Sequence, residues 1–160
     1  MKYSEAYQRT RDIDWFFRAG NRFIHVASNG GKLPNFVNDV NRLRNEQAAV
    51  SVLDNIKDVQ VDITDYVNIR TQASFEEVQK NNIMVDINQL RESYLSTFVA
   101  MAQKGFYSFD RALDDESKYI LVCGPKKPIE VACQLVEVTD EIEFDGEGKD
   151  AFHVKTKYTE

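Results

Sequence analysis

Cysteine, proline and glycine are scarce in this chain of 160 residues, which holds two, three and seven of them. Cys123 and Cys133 are too few for the disulfide framework of a small secreted domain, and they read as small buried thiols of a reducing compartment. So little proline and glycine excludes collagen-like and low-complexity chains. Uninterrupted apolar runs such as FVAMA (98–102) are far too short to span a bilayer. The amino terminus, MKYSEAYQRTRDID, lacks the apolar core of a signal peptide, so the chain reads as cytoplasmic with no membrane partner.

What is present suffices for one core. With 42% hydrophobic, 11% aromatic and 29% charged residues, the composition fits a single globular domain over residues 1–160. The net charge of −6 is unevenly spread. Residues 1–57 carry nine lysines and arginines against six acids, or +3, whereas residues 58–160 carry eleven against twenty, or −9. That balance permits an anionic ligand near the first third, and it disfavours nucleic acid, for which no dense basic stripe exists.

The pattern IDWFFRAGNRFIHVAS predicts two antiparallel strands, Ile13 to Arg18 and Arg22 to Ser28, joined by a Gly20-Asn21 turn. From Pro34, Phe36, Val40, Leu43, Val50 and Leu53 recur at helical steps, predicting a helix to about Asn55 that starts at the proline. VQVDITDYVNIRT returns to a period of two and reads as one long strand or two short ones, with a short helix near Ser74 to Glu77. Asp86 and Gln89 form a capping-box pattern ahead of a helix over Ile87 to Lys104, ended by Gly105. GFYSFDRALDDES reads as a loop, and KYILVCG, PIEVACQLVEV and AFHVKTKY as strands of a meander. The order β-β-α-β-(α)-α-β-β-β implies an α+β fold, a mainly antiparallel sheet packed against two long helices.

Chemistry-bearing residues are few. The stretch HVASNGGKLPNF joins a strand-like run to a helix-like one through Ser28, Asn29, Gly30, Gly31 and Lys32. Adjacent glycines, a lysine and a following helix amino terminus fit an anion cradle, with His25 beside it and Arg18, Arg22 or Arg42 as further cations. The same residues fit an ordinary turn, and neither GxxxxGK[ST] nor GxGxxG occurs. His25 could pair with Asp12 or Asp14 as a base and its orienter, although a structural strand histidine is the plainer reading of both His25 and His153. Cys123 stands near Lys126 and Lys127, which would favour a thiolate, but a cysteine at a strand end usually packs. Asp140, Glu141, Glu143, Asp145, Glu147 and Asp150 supply hard oxygen ligands in a pattern that fails the EF-hand spacing and fits a solvated hairpin. Phe106, Tyr107, Phe109 and Arg111, read as a loop, offer either an interaction surface or a tuck beneath the preceding helix.

No cofactor or metal motif is present, and no acid, base and nucleophile converge in the sequence. The expected function is therefore a binding or protein-interaction module, with a protein partner or self-association in view. The alternative is a small enzyme or sensor that binds a phosphorylated or other anionic small molecule at Ser28 to Lys32.

Overall fold

The computed structural model describes residues 1–138 and 140–155. Among them, seven strands form one sheet with four helices packed against it, an α+β architecture. Strands β1 (Asp14–Ala19) and β2 (Arg22–Ala27) make the expected hairpin, with Gly20 at φ +60° in the turn. Strand β2 then pairs in parallel with β4 (Phe106–Arg111), and every other pairing between two of the seven strands is antiparallel. The long β5 (Lys118–Pro125) lies beside β4 and shares its other edge between two short partners. Strand β7 (Ala151–Val154) pairs with its first half and β3 (Val61–Ile63) with its second, while β6 (Ile142–Phe144) closes the sheet beyond β7.

Four expected elements differ from the sequence reading, and the helix at Glu5–Arg9 and strand β6 are additions to it. The helix predicted from Pro34 begins at Val40 instead, because the Pro34 carbonyl accepts the amides of Val37 and Asn38 in a turn. Asp39 then caps α2 (Val40–Ser51) by accepting from the amides of Asn41 and Arg42. The strand expected through Val67 and Ile69 is helix α3 (Tyr66–Lys80), in which Tyr66, Val67 and Thr71 bury one face and Ile69 is exposed. FYSFDR is no loop: it is the central strand β4, with both faces covered. PIEVACQLVEV forms no strand; its Val131 packs against Phe16, Phe23 and Phe106, and farther on Arg18 exchanges backbone bonds with Val136 and Val138. Residues 156–158 of the last predicted strand lie outside the described residues.

A short helix α1 (Glu5–Arg9) precedes the sheet, and α4 (Ile87–Gln103) begins at Asp86, which accepts from the Asn88 amide as the sequence implied. Gly105 follows α4 at φ +104°, a conformation that a side chain would strain. One face of the sheet packs Trp15, Phe17, Phe109, Tyr119 and Phe152 together, closed by Leu33, Val37 and Leu43. The other face lies under α3 and α4, whose Tyr66, Val67, Leu95, Phe98 and Ala102 cover Ala27, Val122 and Cys123. Beside that second core, Phe16, Phe23 and Phe106 pack under Val50 and Val131. No helix among the described residues is long and apolar enough to cross a membrane.

Candidate ligand cleft

The register of three adjacent strands puts a row of polar side chains under α4. Asp14 stands opposite Ala27, which stands opposite Asp110; one step along, Phe16, His25 and Ser108 are aligned. Because side chains alternate along a strand, Asp14, His25, Ser108 and Asp110 all point to the helix-covered face. His25 is fully buried, its ring 5.4 Å from that of Phe16 and 6.1 Å from that of Phe98. Its Nε2 lies 2.7 Å from Asp14 Oδ1, and its Nδ1 lies 2.5 Å from Ser108 Oγ. With the carboxylate as acceptor, Nε2–H donates to Asp14 and Nδ1 accepts the Ser108 hydroxyl, a tautomer assigned from these partners.

Hydroxyl, imidazole and carboxylate follow one another here in the order used for nucleophilic serine. Access decides against that use. Ser108 and His25 are both 0% exposed and neither lines the cleft beside Asp110, so a substrate carbonyl could reach Oγ only if α4 moved away. As it stands, the line satisfies a buried imidazole from both sides and ties β1, β2 and β4 together.

Asp110 ends the row, and beside it a cleft of about 250 Å³ opens between α3, α4 and the Asp12 to Asn29 corner. Its lining includes Asp12, Asn29, Arg70, Ser93, Tyr94 and Asp110. The Asp110 residue is only 1% exposed. Its Oδ2 accepts from the Tyr94 hydroxyl at 2.6 Å and lies 3.8 Å from Arg70 Nε, and its Oδ1 accepts from the Arg111 amide at 2.9 Å. Burial is the largest influence on this carboxyl and pushes it above the ordinary carboxylate range, with Asp12 acting in the same direction. The Tyr94 hydroxyl, Arg70 and the Arg111 amide oppose that shift without cancelling it. Burial likewise pushes the Tyr94 phenol upward, and Asp110 adds to it, so Tyr94 remains a donor. Larger depressions, of about 320 Å³ near Val59 and Ile129 and about 360 Å³ near Asn21 and Pro128, have no fully buried charged side chain in their lining.

The glycine loop has a different arrangement from a cradle. The Asn29 amide donates to Asp12 Oδ1, Gly30 to the Arg11 carbonyl, Gly31 to the Ser28 carbonyl and Lys32 to Glu116 Oε1. Ser28 Oγ accepts from the Ile13 amide, and the carbonyls of Ser28 and Asn29 accept from the Arg111 guanidinium. The loop therefore does hold anions, but they are Asp12 and Glu116 of its own chain. Gly31 is needed because a Cβ there would sit 2.4 Å from Arg111 Cδ. No helix start follows the loop, since α2 begins at Val40. Of the cations grouped with it, Lys32 Nζ lies 4.0 Å from Glu5, Arg18 pairs with Glu137, Arg22 stacks on Tyr107 and Arg42 pairs with Glu46. His25 faces α4 and bonds to Asp14 and Ser108.

Other sequence candidates are dispersed. Phe106, Tyr107 and Phe109 are buried in β4 as core, not displayed on a loop, and Arg111 clamps the glycine loop. Burial pushes the Cys123 thiol up to about 12, opposite to the activation that nearby lysines would give. His153 bridges Asp145 and Asp115 at the surface. Among the described residues, no group of three or more histidine, cysteine or acidic side chains converges as a metal site. Sequence reasoning missed Arg70, Tyr94, Ser108 and Asp110. The available signal was FYSFDR itself, where Ser108 and Asp110 alternate with aromatics at a strand period.

No family model matches the chain, and neither a curated protein nor a solved structure matches it.

Proposed function

We propose that this chain is a binding module without a catalytic role of its own, and that its ligand is a small polar molecule held in the Asp110 cleft. The observation that carries the reading is a carboxyl group only 1% exposed at the floor of an open cleft. A buried charge costs several kcal/mol to desolvate, and well-packed apolar residues in place of buried ion pairs are often as stabilising or more so. Folding alone therefore gives little reason for Asp110, Tyr94 and Arg70 to meet there. A ligand that entered would find both charge signs and several hydroxyls within one small volume.

A thermal-shift screen against small amines, polyols, carboxylates and phosphates tests the reading. A ligand at one hundred times its Kd adds about 2.7 kcal/mol to the folded state, which for a chain of this length raises Tm by roughly 5–10 °C. Ser93→Trp, on an exposed helix position that lines the cleft, should abolish the shift. A shift that survives this substitution, or a screen without any shift, refutes the proposal.

A second reading, acyl transfer by Ser108, is favoured by the 2.5 Å and 2.7 Å contacts of His25 and opposed by the burial of both groups. Labelling by a fluorophosphonate probe would support it. The anionic-ligand reading of Ser28 to Lys32 is weaker, because the amides of residues 29–32 already have acceptors.

A further inference from the structure

Resting on the cleft reading above, we infer that the ligand carries a primary ammonium group, which docks against Asp110 and Asp12. The charge count of the lining favours it: Asp12 and Asp110 supply two carboxylates, and Arg70 supplies one guanidinium. Arg111, the next cation, is turned away and donates to the carbonyls of Ser28 and Asn29. Arg70 is itself partly committed, its Nε lying 3.8 Å from Asp110 Oδ2. An anion entering the cleft would meet both carboxylates and one already engaged guanidinium. It would also find the Asn29 amide given to Asp12.

Acceptor capacity points the same way. A carboxylate offers about four lone-pair sites. Asp110 uses one on Oδ1 for the Arg111 amide and one on Oδ2 for the Tyr94 hydroxyl, while 3.8 Å is too long for Arg70 Nε to count as a hydrogen bond. Each oxygen thus keeps an acceptor site, and the hydroxyl oxygens of Ser74, Ser93 and Thr97 stand in the same lining. An ammonium group brings three donors and a positive charge, matching those acceptors and offsetting the desolvated carboxylate. Phe98 and Ala27 supply an apolar wall for the carbon skeleton. At about 250 Å³ the cleft suits a small amine.

The test uses phenethylamine and 1,4-diaminobutane, with 2-phenylethanol, 1,4-butanediol and succinate as matched probes, in thermal-shift and calorimetric titrations of the whole chain. An amine is expected to raise Tm in a saturable way while the alcohols and succinate do not. Asp110→Asn should weaken that amine by about tenfold or more, as loss of a charge-assisted hydrogen bond requires. Because Asp110→Asn disturbs a buried group, Asp12→Asn provides a second variant at an exposed position, and a several-fold loss is expected there. Alcohols or succinate binding as well as amines, with the shift lost in Ser93→Trp, would overturn the ammonium inference and leave the cleft reading standing. Silence from every probe overturns the ammonium inference, and the cleft reading falls with it only when the phosphates of the wider screen are silent too. An amine shift unchanged in Asp110→Asn and Asp12→Asn overturns the inference.

Discussion

Tyr94→Phe removes one hydroxyl from the floor of the cleft and nothing else of consequence. The ring keeps its packing on Phe98, 5.1 Å away between centroids, so apolar burial is unchanged. What is lost is the 2.6 Å hydrogen bond to Asp110 Oδ2, which leaves the Arg111 amide at 2.9 Å and Arg70 at 3.8 Å as the nearby donors among the described residues. A hydrogen bond to a charged group contributes about 1.5–3 kcal/mol. Near neutral pH the variant should lose about 2 kcal/mol, which at 2–4 °C per kcal/mol lowers Tm by about 4–8 °C.

The pH dependence fixes the sign independently. Burial holds the Asp110 carboxyl above its ordinary value of 3.8 in the folded state. Its contribution to stability is thus most favourable in acid and declines as pH rises through the folded value, where the buried group must ionise. The Tyr94 hydroxyl relieves that cost, so its removal should matter most above this window. As pH falls through the folded value of Asp110 the loss should shrink toward the roughly 1 kcal/mol of a neutral hydrogen bond. Urea titrations at pH 4 and pH 7.5, in the wild-type and Asp110→Asn backgrounds, measure all four combinations. Equal losses at both pH values, or an undiminished loss when residue 110 is asparagine, would show that the Tyr94 hydroxyl does not act through the Asp110 charge.

Three further outcomes follow from particular contacts. Gly124→Ala should destabilise by about 1–3 kcal/mol in urea titration, since its Cβ would meet Tyr107 Cδ1 at 2.4 Å in a packed core that must shift to admit it. Cys123 should resist iodoacetamide in the native protein while Cys133, less buried, reacts first; peptide mass spectrometry over a time course reads the order, and early Cys123 labelling would contradict its burial and its thiol near 12. Ser108 should remain unlabelled by a fluorophosphonate probe at native pH, and a stoichiometric adduct would show that α4 opens to admit substrate.

Much of the fold could be read from local pattern, and the site could not. The β1–β2 hairpin followed from alternation around Gly20-Asn21, and α4 from Asp86 and a long apolar stripe, because in both cases short-range chemistry agrees with the final packing. Pro34 misled the start of α2: it opens a turn, and the cap five residues later, Asp39, does the work of starting the helix. Val67 and Ile69 imitated a strand, but the buried partner of Val67 is Thr71, one helical turn on. FYSFDR alternates aromatics with Ser108 and Asp110, but both of its faces are buried, so its polar side chains mark an interior row and not the solvent face of a strand.

For the site, His25 was visible, and of its two suggested partners Asp14 binds it, whereas Asp12 holds the Asn29 amide. The cleft itself draws Asp12, Asn29, Arg70, Tyr94 and Asp110 from five distant segments. Their meeting depends on the parallel pairing of β2 with β4 and on α3 lying beside α4. Neither arrangement has a local signature in the chain.

The most direct test of the cleft as a binding site is an amide chemical-shift titration of the labelled chain with whichever probe raises Tm. Saturable changes centred on Asn29, Arg70, Ser93, Tyr94 and Asp110 are expected, absent in Ser93→Trp. Changes confined to the groove around Val59 and Ile129 would contradict the cleft as the binding site.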